Sequence, residues 1–214
     1  MDAIYSFVGF FVAGGPFMYP ILIVLAIRVA ITVERWLHLS VARSSNRRMI
    51  ARLMPLMEKG EVANAGKLAR ESSATVCRIL LQGIEHYKSA RRRDDFEAAM
   101  DESMLEAIPR LEKRTHYLDM FANIATLLGL LGTIVGLIKA FTAVAQVDPS
   151  MKAEILSTSI SVAMNTTAFG LIVAIPLLFF YTVLQTKTTE IVDSLEMTVV
   201  KFVNLLARVK SNTE

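Results

Sequence analysis

Two apolar stretches that carry small and polar residues decide the fold: GLLGTIVGLIKAF at residues 129–141 and NTTAFGLIVAIP at residues 165–176. Each lies inside a longer apolar run, at residues 119–147 and 155–187. A helix needs about 20 mostly apolar residues to cross a bilayer, and both runs exceed that length. Only the short segment 148–154 separates them. The pattern therefore predicts two antiparallel transmembrane helices joined by a turn outside the cytoplasm.

The rest of the chain extends this arrangement. A third apolar run covers residues 16–37, and a charged block covers residues 38–118, with apolar residues at helical spacing that include Leu53, Leu80, Phe96, Met100 and Leu105. No stop signal lies between Leu111 and Met120, so the last helix of this block is predicted to run straight into the second span. Residues 188–214 predict a further amphipathic helix, and the aromatic-rich residues 1–15 predict a segment at the outer membrane interface. The predicted fold class is an all-α membrane protein with three transmembrane helices and long cytoplasmic helical extensions.

Composition and charge limit the function. Of 214 residues, 53% are hydrophobic and 20% are charged, which excludes a disordered chain and is unusual for a cytosolic enzyme. One cysteine excludes an internal disulfide, and three separated histidines show no metal-ligand spacing. No phosphate-binding loop or catalytic triad is present. We predict no enzymatic activity, no cofactor, no metal site and no nucleic-acid partner.

Lys and Arg predict the orientation. Most of the 23 basic residues lie between residues 38 and 118, several more follow residue 187, and residues 1–15 contain none. Because cytoplasmic segments carry the excess of basic residues, the charged block and the C-terminus are predicted in the cytoplasm. The N-terminus and the turn 148–154 are predicted outside it.

Small residues in the hairpin predict close helix packing. Glycines three and four residues apart share one helix face and allow another helix to approach closely, which stabilises helix association in lipid. Such a face is unfavourable against lipid, so it also predicts a homo-oligomer. In the third predicted span, a proline removes one backbone hydrogen bond and leaves the carbonyl one turn earlier without its donor. We assign helix packing to Gly129, Gly132, Gly136, Gly170 and Pro176.

Hydroxyl and amide groups lie at mid-membrane depth. Asn165, Thr166 and Thr167 are predicted to form a polar groove with Thr133, and equal distances from the turn place Thr133 and Thr167 at similar depth. The alternative is that each threonine donates only to the carbonyl four residues back. Inside the membrane, from about Met120 to Val147 and from Ile155 to about Leu184, the two hairpin spans contain no Asp, Glu or His, so a proton-carrying carboxylate must come from another chain.

The quoted motifs, together with GGPFMYPILI at residues 14–23 and the pair Glu34-Arg35, resemble the MotA/TolQ/ExbB proton-channel family, in its three-span ExbB/TolQ branch. The resemblance implies a proton-motive-force-driven motor subunit of the bacterial inner membrane, with its N-terminus in the periplasm. It implies a pentameric ring around a single-span ExbD/TolR/MotB-type partner that carries a membrane Asp. By motif position, Thr133 and Thr167 would face that Asp.

The resemblance also implies which processes the motor could drive: TonB-type uptake, the Tol system or gliding-type motility, with a TonB- or TolA-like protein as a further partner. The sequence departs from the family at Val162, where many ExbB and TolQ chains carry Glu. An alternative is a structural membrane scaffold whose polar hairpin only packs. A self-contained transporter is disfavoured, because the hairpin holds no acid and the chain shows no inverted repeat.

Two basic residues lie inside predicted spans. We expect Arg28 to extend its side chain to the cytoplasmic interface, with a pair to an acid of a neighbouring subunit as the alternative. We expect Lys139, near the outer end of its span, to extend outward.

Overall fold

The computed structural model describes residues 9–11, 14–89 and 93–211, and within these residues it contains helices and no strand. The all-α fold class is therefore confirmed. The predicted interfacial segment 1–15 lies largely outside the described residues. From residue 14 onward, the described residues form six helices: α1 Met18–Glu58, α2 Val62–Arg70, α3 Thr75–Ser89, α4 Arg93–Glu112, α5 Thr115–Val144 and α6 Lys152–Ser211.

Two helical stretches in the described part of the chain are long and apolar enough to cross a membrane, Asp95–Val144 and Lys152–Val209. They contain the two predicted hairpin spans. The first part of α1 is also apolar, but it holds Arg28, Glu34 and Arg35. Length and composition alone therefore do not mark α1 as a span, and the third span stays a prediction.

The chain divides into two compact units. We call Met1–Glu34 with Arg114–Val183 the hairpin unit, and Arg35–Lys113 with Leu184–Glu214 the charged unit. The α5–α6 connection covers residues 145–151, which overlaps the predicted turn 148–154.

The prediction that one helix runs without interruption into the second span is wrong. Helix α4 ends at Glu112, and α5 begins at Thr115. Between them Arg114 adopts a left-handed backbone with φ of 68°, which costs energy for a residue other than glycine. The Arg114 guanidinium donates to the Glu34 carboxylate at 2.7 Å.

Helix α1 begins at a glycine turn in the hairpin unit. Gly15 has a φ of 76°, in the left-handed region that favours glycine. The Met18 N–H donates to the Gly15 carbonyl at 3.2 Å and starts the helix. The first turns of α1 then contribute to a core made with α5 and α6, which consists of Met18, Ile21, Val24, Ala125, Phe169, Val173, Ala174 and Leu177.

Large apolar side chains form the core of the charged unit. Helix α3 packs against both α2 and α4. The fully buried members include Leu53, Leu80, Phe96, Met100 and Phe202, at positions that the helical spacing predicts. Leu105, assigned to the same stripe, is instead 70% exposed. Cys77 is free and buried in this unit, and burial raises the pKa of its thiol, while a hydrogen bond with Ser72 partly offsets that rise.

Candidate functional site

Glycines bring α5 and α6 into backbone contact. A Cβ atom on Gly129 would lie 3.3 Å from the Thr167 Cα, and one on Gly170 would lie 2.9 Å from the Ala125 carbonyl oxygen. A Cβ on Gly136 would lie 2.9 Å from the Ala163 Cβ. Real Cβ atoms essentially never approach within 3.0 Å, so the helices could not reach this separation with a side chain at Gly136 or Gly170, and a side chain at Gly129 would require its neighbours to shift.

This packing changes one step of the oligomer prediction. The glycine face of α5 is covered by α6 of the same chain, because Gly129, Gly132 and Gly136 all lie against residues 163–170. The face is therefore not left against lipid, and it does not by itself require a second subunit. The homo-oligomer stays a prediction that rests on the family resemblance.

Close approach places the hydroxyls of Thr133 and Thr167 in direct hydrogen-bond contact. The two residues therefore lie level with each other along the helix pair, and their depth in the membrane stays a prediction. Each hydroxyl also reaches the backbone of the other helix: Thr133 Oγ1 donates toward the Ala163 carbonyl at 3.3 Å, and Thr167 Oγ1 donates to the Gly129 carbonyl at 3.0 Å. These carbonyls lie four residues before Thr167 and Thr133 respectively, so the two threonines exchange acceptors across the helix pair.

Other threonines on the same helix behave more simply. Thr126 donates to the Ala122 carbonyl at 3.2 Å, and Thr142 donates to the Ile138 carbonyl at 2.9 Å, each four residues back. Thr133 Oγ1 also lies 3.2 Å from the Gly129 carbonyl oxygen, so its one hydrogen can be donated either to this local acceptor or to an acceptor on α6. The exchange between helices therefore distinguishes the Thr133–Thr167 pair from an ordinary membrane threonine.

The pair can accept as well as donate. A hydroxyl carries one hydrogen and two lone pairs, and its hydrogen rotates to suit the neighbouring groups. Both side chains are only partly buried. A protonated acid brought to this surface could donate to a threonine oxygen, and a carboxylate could accept from a rotated hydroxyl. The arrangement can thus solvate both forms of an acid without carrying a charge.

Thr166 and Asn165, assigned to the same path, lie elsewhere on α6. Thr166 is 2% exposed, and its hydroxyl donates to the Gly14 carbonyl at 2.6 Å and to the Val162 carbonyl at 3.0 Å. It therefore joins α6 to the turn before α1. Asn165 is half-buried, and at about 100° per residue it lies roughly 200° around the helix from Thr167. The structure brings together two of the four predicted residues.

The interfacial position expected for Arg28 is wrong. Its side chain is fully buried, and Nη2 donates to the Leu177 carbonyl of α6 at 3.0 Å. Within the described residues Nε and Nη1 have no hydrogen-bond partner. Asp119 on α5 attracts the guanidinium electrostatically. The sequence shows that Arg28 lies inside a predicted span, but only the packing of α1 against α6 shows that its side chain is buried within the hairpin unit. Lys139, in contrast, is exposed.

Comparison with known proteins identifies the family. The family model described as the MotA/TolQ/ExbB proton channel family matches residues 71–197, more than half of the chain. The chain belongs to this family. The match includes α5, the turn and most of α6, and therefore both Thr133 and Thr167. Membership, together with the two apolar helical stretches, makes this an integral membrane protein.

Curated relatives agree with this assignment. The chain is 26% identical over 174 residues to the biopolymer transport protein ExbB-like 3 of Synechocystis, covering 81% of this chain and 82% of that protein. It is 34% identical over 111 residues to the biopolymer transport protein ExbB of Aquifex aeolicus, covering 52% and 72%. It is 29% identical over 110 residues to the Tol-Pal system protein TolQ of Haemophilus influenzae, covering 51% and 48%.

Proposed function

We propose that this protein is the ring-forming subunit of an ion-driven inner-membrane motor, and that the Thr133–Thr167 pair lines its ion path. The observation that carries the proposal is the pair itself, in which two hydroxyls on neighbouring helices are in contact, partly exposed and linked by exchanged carbonyl acceptors. Packing alone needs only the local bond that Thr126 and Thr142 make.

The ion-binding carboxylate comes from a partner. Residues 119–147 and 155–187 contain one Asp, Asp119, at the extreme end of the first run, and no Glu or His. A path through the hairpin can therefore stabilise a proton only if another chain supplies a titratable group at the depth of Thr133. A single-span protein of the ExbD/TolR/MotB type, with one membrane Asp, is the partner that fits this requirement.

The threonines lower the cost of protonation and deprotonation. A bare carboxylate in an apolar environment is strongly disfavoured, and hydrogen bonds from hydroxyls stabilise it. When the acid is protonated, the same oxygens accept its hydrogen, so neither form is left without a partner. Passage of the acid from one subunit's pair to the next would couple proton entry and exit to rotation of the ring about the partner.

Similarity to ExbB- and TolQ-named proteins supports a role in energising an envelope process. We infer a pentamer with the N-terminus in the periplasm and residues 38–118 in the cytoplasm, working with a TonB- or TolA-like protein in uptake, with the Tol system, or in gliding-type motility. The basic residues of the block 38–118 support this orientation.

A flux measurement in liposomes tests the proposal. The chain alone should conduct few protons, because residues 120–147 and 155–187 contain no Asp, Glu or His that could carry one. The chain co-purified with the single-span protein encoded beside it should conduct, and changing the partner's membrane Asp to Asn should abolish the flux. Equal flux from the chain alone would contradict the proposal. A stable complex without flux under a proton gradient, whose partner Asp→Asn change has no effect in cells, would favour the scaffold.

A further inference from the structure

A groove lined by basic and polar side chains lies within the charged unit. It has a volume of about 330 Å³ and runs between α1, the start of α3 and α4. The residues that could bind a ligand are three basic side chains, three hydroxyls and one amide: His38, Ser45, Asn46, Ser73, Thr75, Arg78 and Arg110. No Asp or Glu is among the described residues that line it.

The basic side chains are available for a ligand. Arg78 is exposed and makes no ion pair within the described residues. Arg110 contacts Glu106 at 3.8 Å, with both side chains more than 60% exposed, and an exposed pair at that distance contributes little. The lining thus carries positive charge that the groove itself does not neutralise.

Asn46 provides an independent indication of a ligand. It is 4% exposed, and its Oδ1 accepts a hydrogen bond from the Val76 N–H at 3.2 Å. A backbone N–H can be satisfied only by an acceptor, so this bond fixes which end of the amide is oxygen. The Nδ2 group is left buried without a partner in the described residues. A buried amide donor without an acceptor is costly unless a bound group supplies one.

Helix α3 adds a third contribution. It begins at Thr75, and Asn46 reaches its first turn through Val76. The N–H groups of Val76, Cys77 and Arg78 are already bonded within the protein, so this end of α3 contributes its partial positive charge, which favours an anion. The start of α3, two arginines and Asn46, whose amide donor has no partner in the described residues, therefore line one groove.

We propose that this groove binds a phosphate group. Phosphate oxygens accept from arginine in a forked geometry and from amide N–H groups, which matches the donors present. Two sources carry that chemistry: the headgroup of an anionic phospholipid and free inorganic phosphate. The lipid source rests on the proposed topology, because His38 follows the predicted end of the first span and would lie near the inner-leaflet headgroups. The proposed phosphate site does not depend on whether the protein conducts ions.

Hydrogen–deuterium exchange of the full chain tests the proposal at the site. The protein is measured in an uncharged sugar detergent, then with added phosphatidylglycerol, and separately with inorganic phosphate. We expect slower exchange at residues 75–80 in at least one of these two additions. Protection with the lipid only identifies a headgroup, and protection with inorganic phosphate identifies a soluble ligand.

Variants separate a built site from general charge. The double variant Arg78→Gln/Arg110→Gln, at two exposed side chains, should weaken phosphate binding about fivefold for each arginine removed. Asn46→Asp keeps the acceptor for Val76 but replaces the amide donor, and it should abolish protection. Arg52→Gln removes the same charge from an exposed position of α1 outside the groove and should bind like the wild type. No protection in either addition, full protection in the double arginine variant, or an equal loss in Arg52→Gln would overturn the proposal.

Discussion

The helices inside the hairpin unit and the helices inside the charged unit pack through different kinds of residue. In the hairpin unit, α5 and α6 meet through Gly129, Gly136 and Gly170, and apolar side chains such as Leu127, Ile138 and Phe179 point outward at about 60% exposure or more. In the charged unit, Phe96, Met100 and Phe202 are fully buried.

The difference follows from the solvent each unit meets. In water, burial of large apolar side chains drives helix association. In lipid that drive is absent, so helices associate through close backbone contact and hydrogen bonds between them. One chain therefore uses two packing rules, and the same change of residue should have different consequences in the two units.

Removal of a phenyl ring should give the largest contrast. Phe96→Ala should destabilise the charged unit by about 3–5 kcal/mol, because it empties a fully buried site. Phe179→Ala, at a side chain 66% exposed, should change stability by less than about 0.5 kcal/mol, because lipid or detergent chains fill the space. Thermal unfolding in detergent compares the two variants, and a large loss for Phe179→Ala would show that another protein surface covers it.

Replacement of glycine by alanine should give a smaller difference in stability between the two units, and here the hairpin unit should be the one that is destabilised. Gly170→Ala places a Cβ 2.9 Å from the Ala125 carbonyl oxygen, so the helices must separate, at about 1–3 kcal/mol. Gly66→Ala in α2 meets only Ile84 side-chain atoms at 3.7 Å and should stabilise by about 0.5–1 kcal/mol. The same unfolding assay applies. Equal tolerance at both positions would contradict the account of close packing in the hairpin.

Arg28 should give the smallest effect despite its charge. Replacement by Met keeps the length and removes a buried guanidinium with two unpartnered nitrogens, while the Leu177 carbonyl remains inside a helix. Exchange of an incompletely paired buried charge for an apolar residue is often neutral or stabilising. The melting temperature of Arg28→Met should therefore be no lower than that of the wild type. A clear decrease would mean that water or another subunit satisfies those nitrogens.

The sequence predicts the helices and much of the hairpin geometry, for identifiable reasons. Apolar spacing marks α3 and α6, and counting residues from the turn placed Thr133 and Thr167 at one depth. The exchange of carbonyl acceptors was not predictable, because it depends on the rotation of both helices. The break at Arg114 was missed because no glycine or proline marks it. The burial of Arg28 was missed because a long side chain near a span end is compatible with either an inward or an outward direction.

The most direct test of the central proposal is the proton-driven output of the assembled complex carrying Thr167→Val. Valine keeps the shape and removes the hydroxyl that contacts Thr133. Loss of one hydrogen bond to a charged group should lower the output about 10- to 100-fold, with assembly unchanged. Thr166→Val, whose hydroxyl bonds to Gly14, should be milder, and Thr142→Val should match the wild type. Full output from a normally assembled Thr167→Val complex would contradict the assignment of this pair to the ion path.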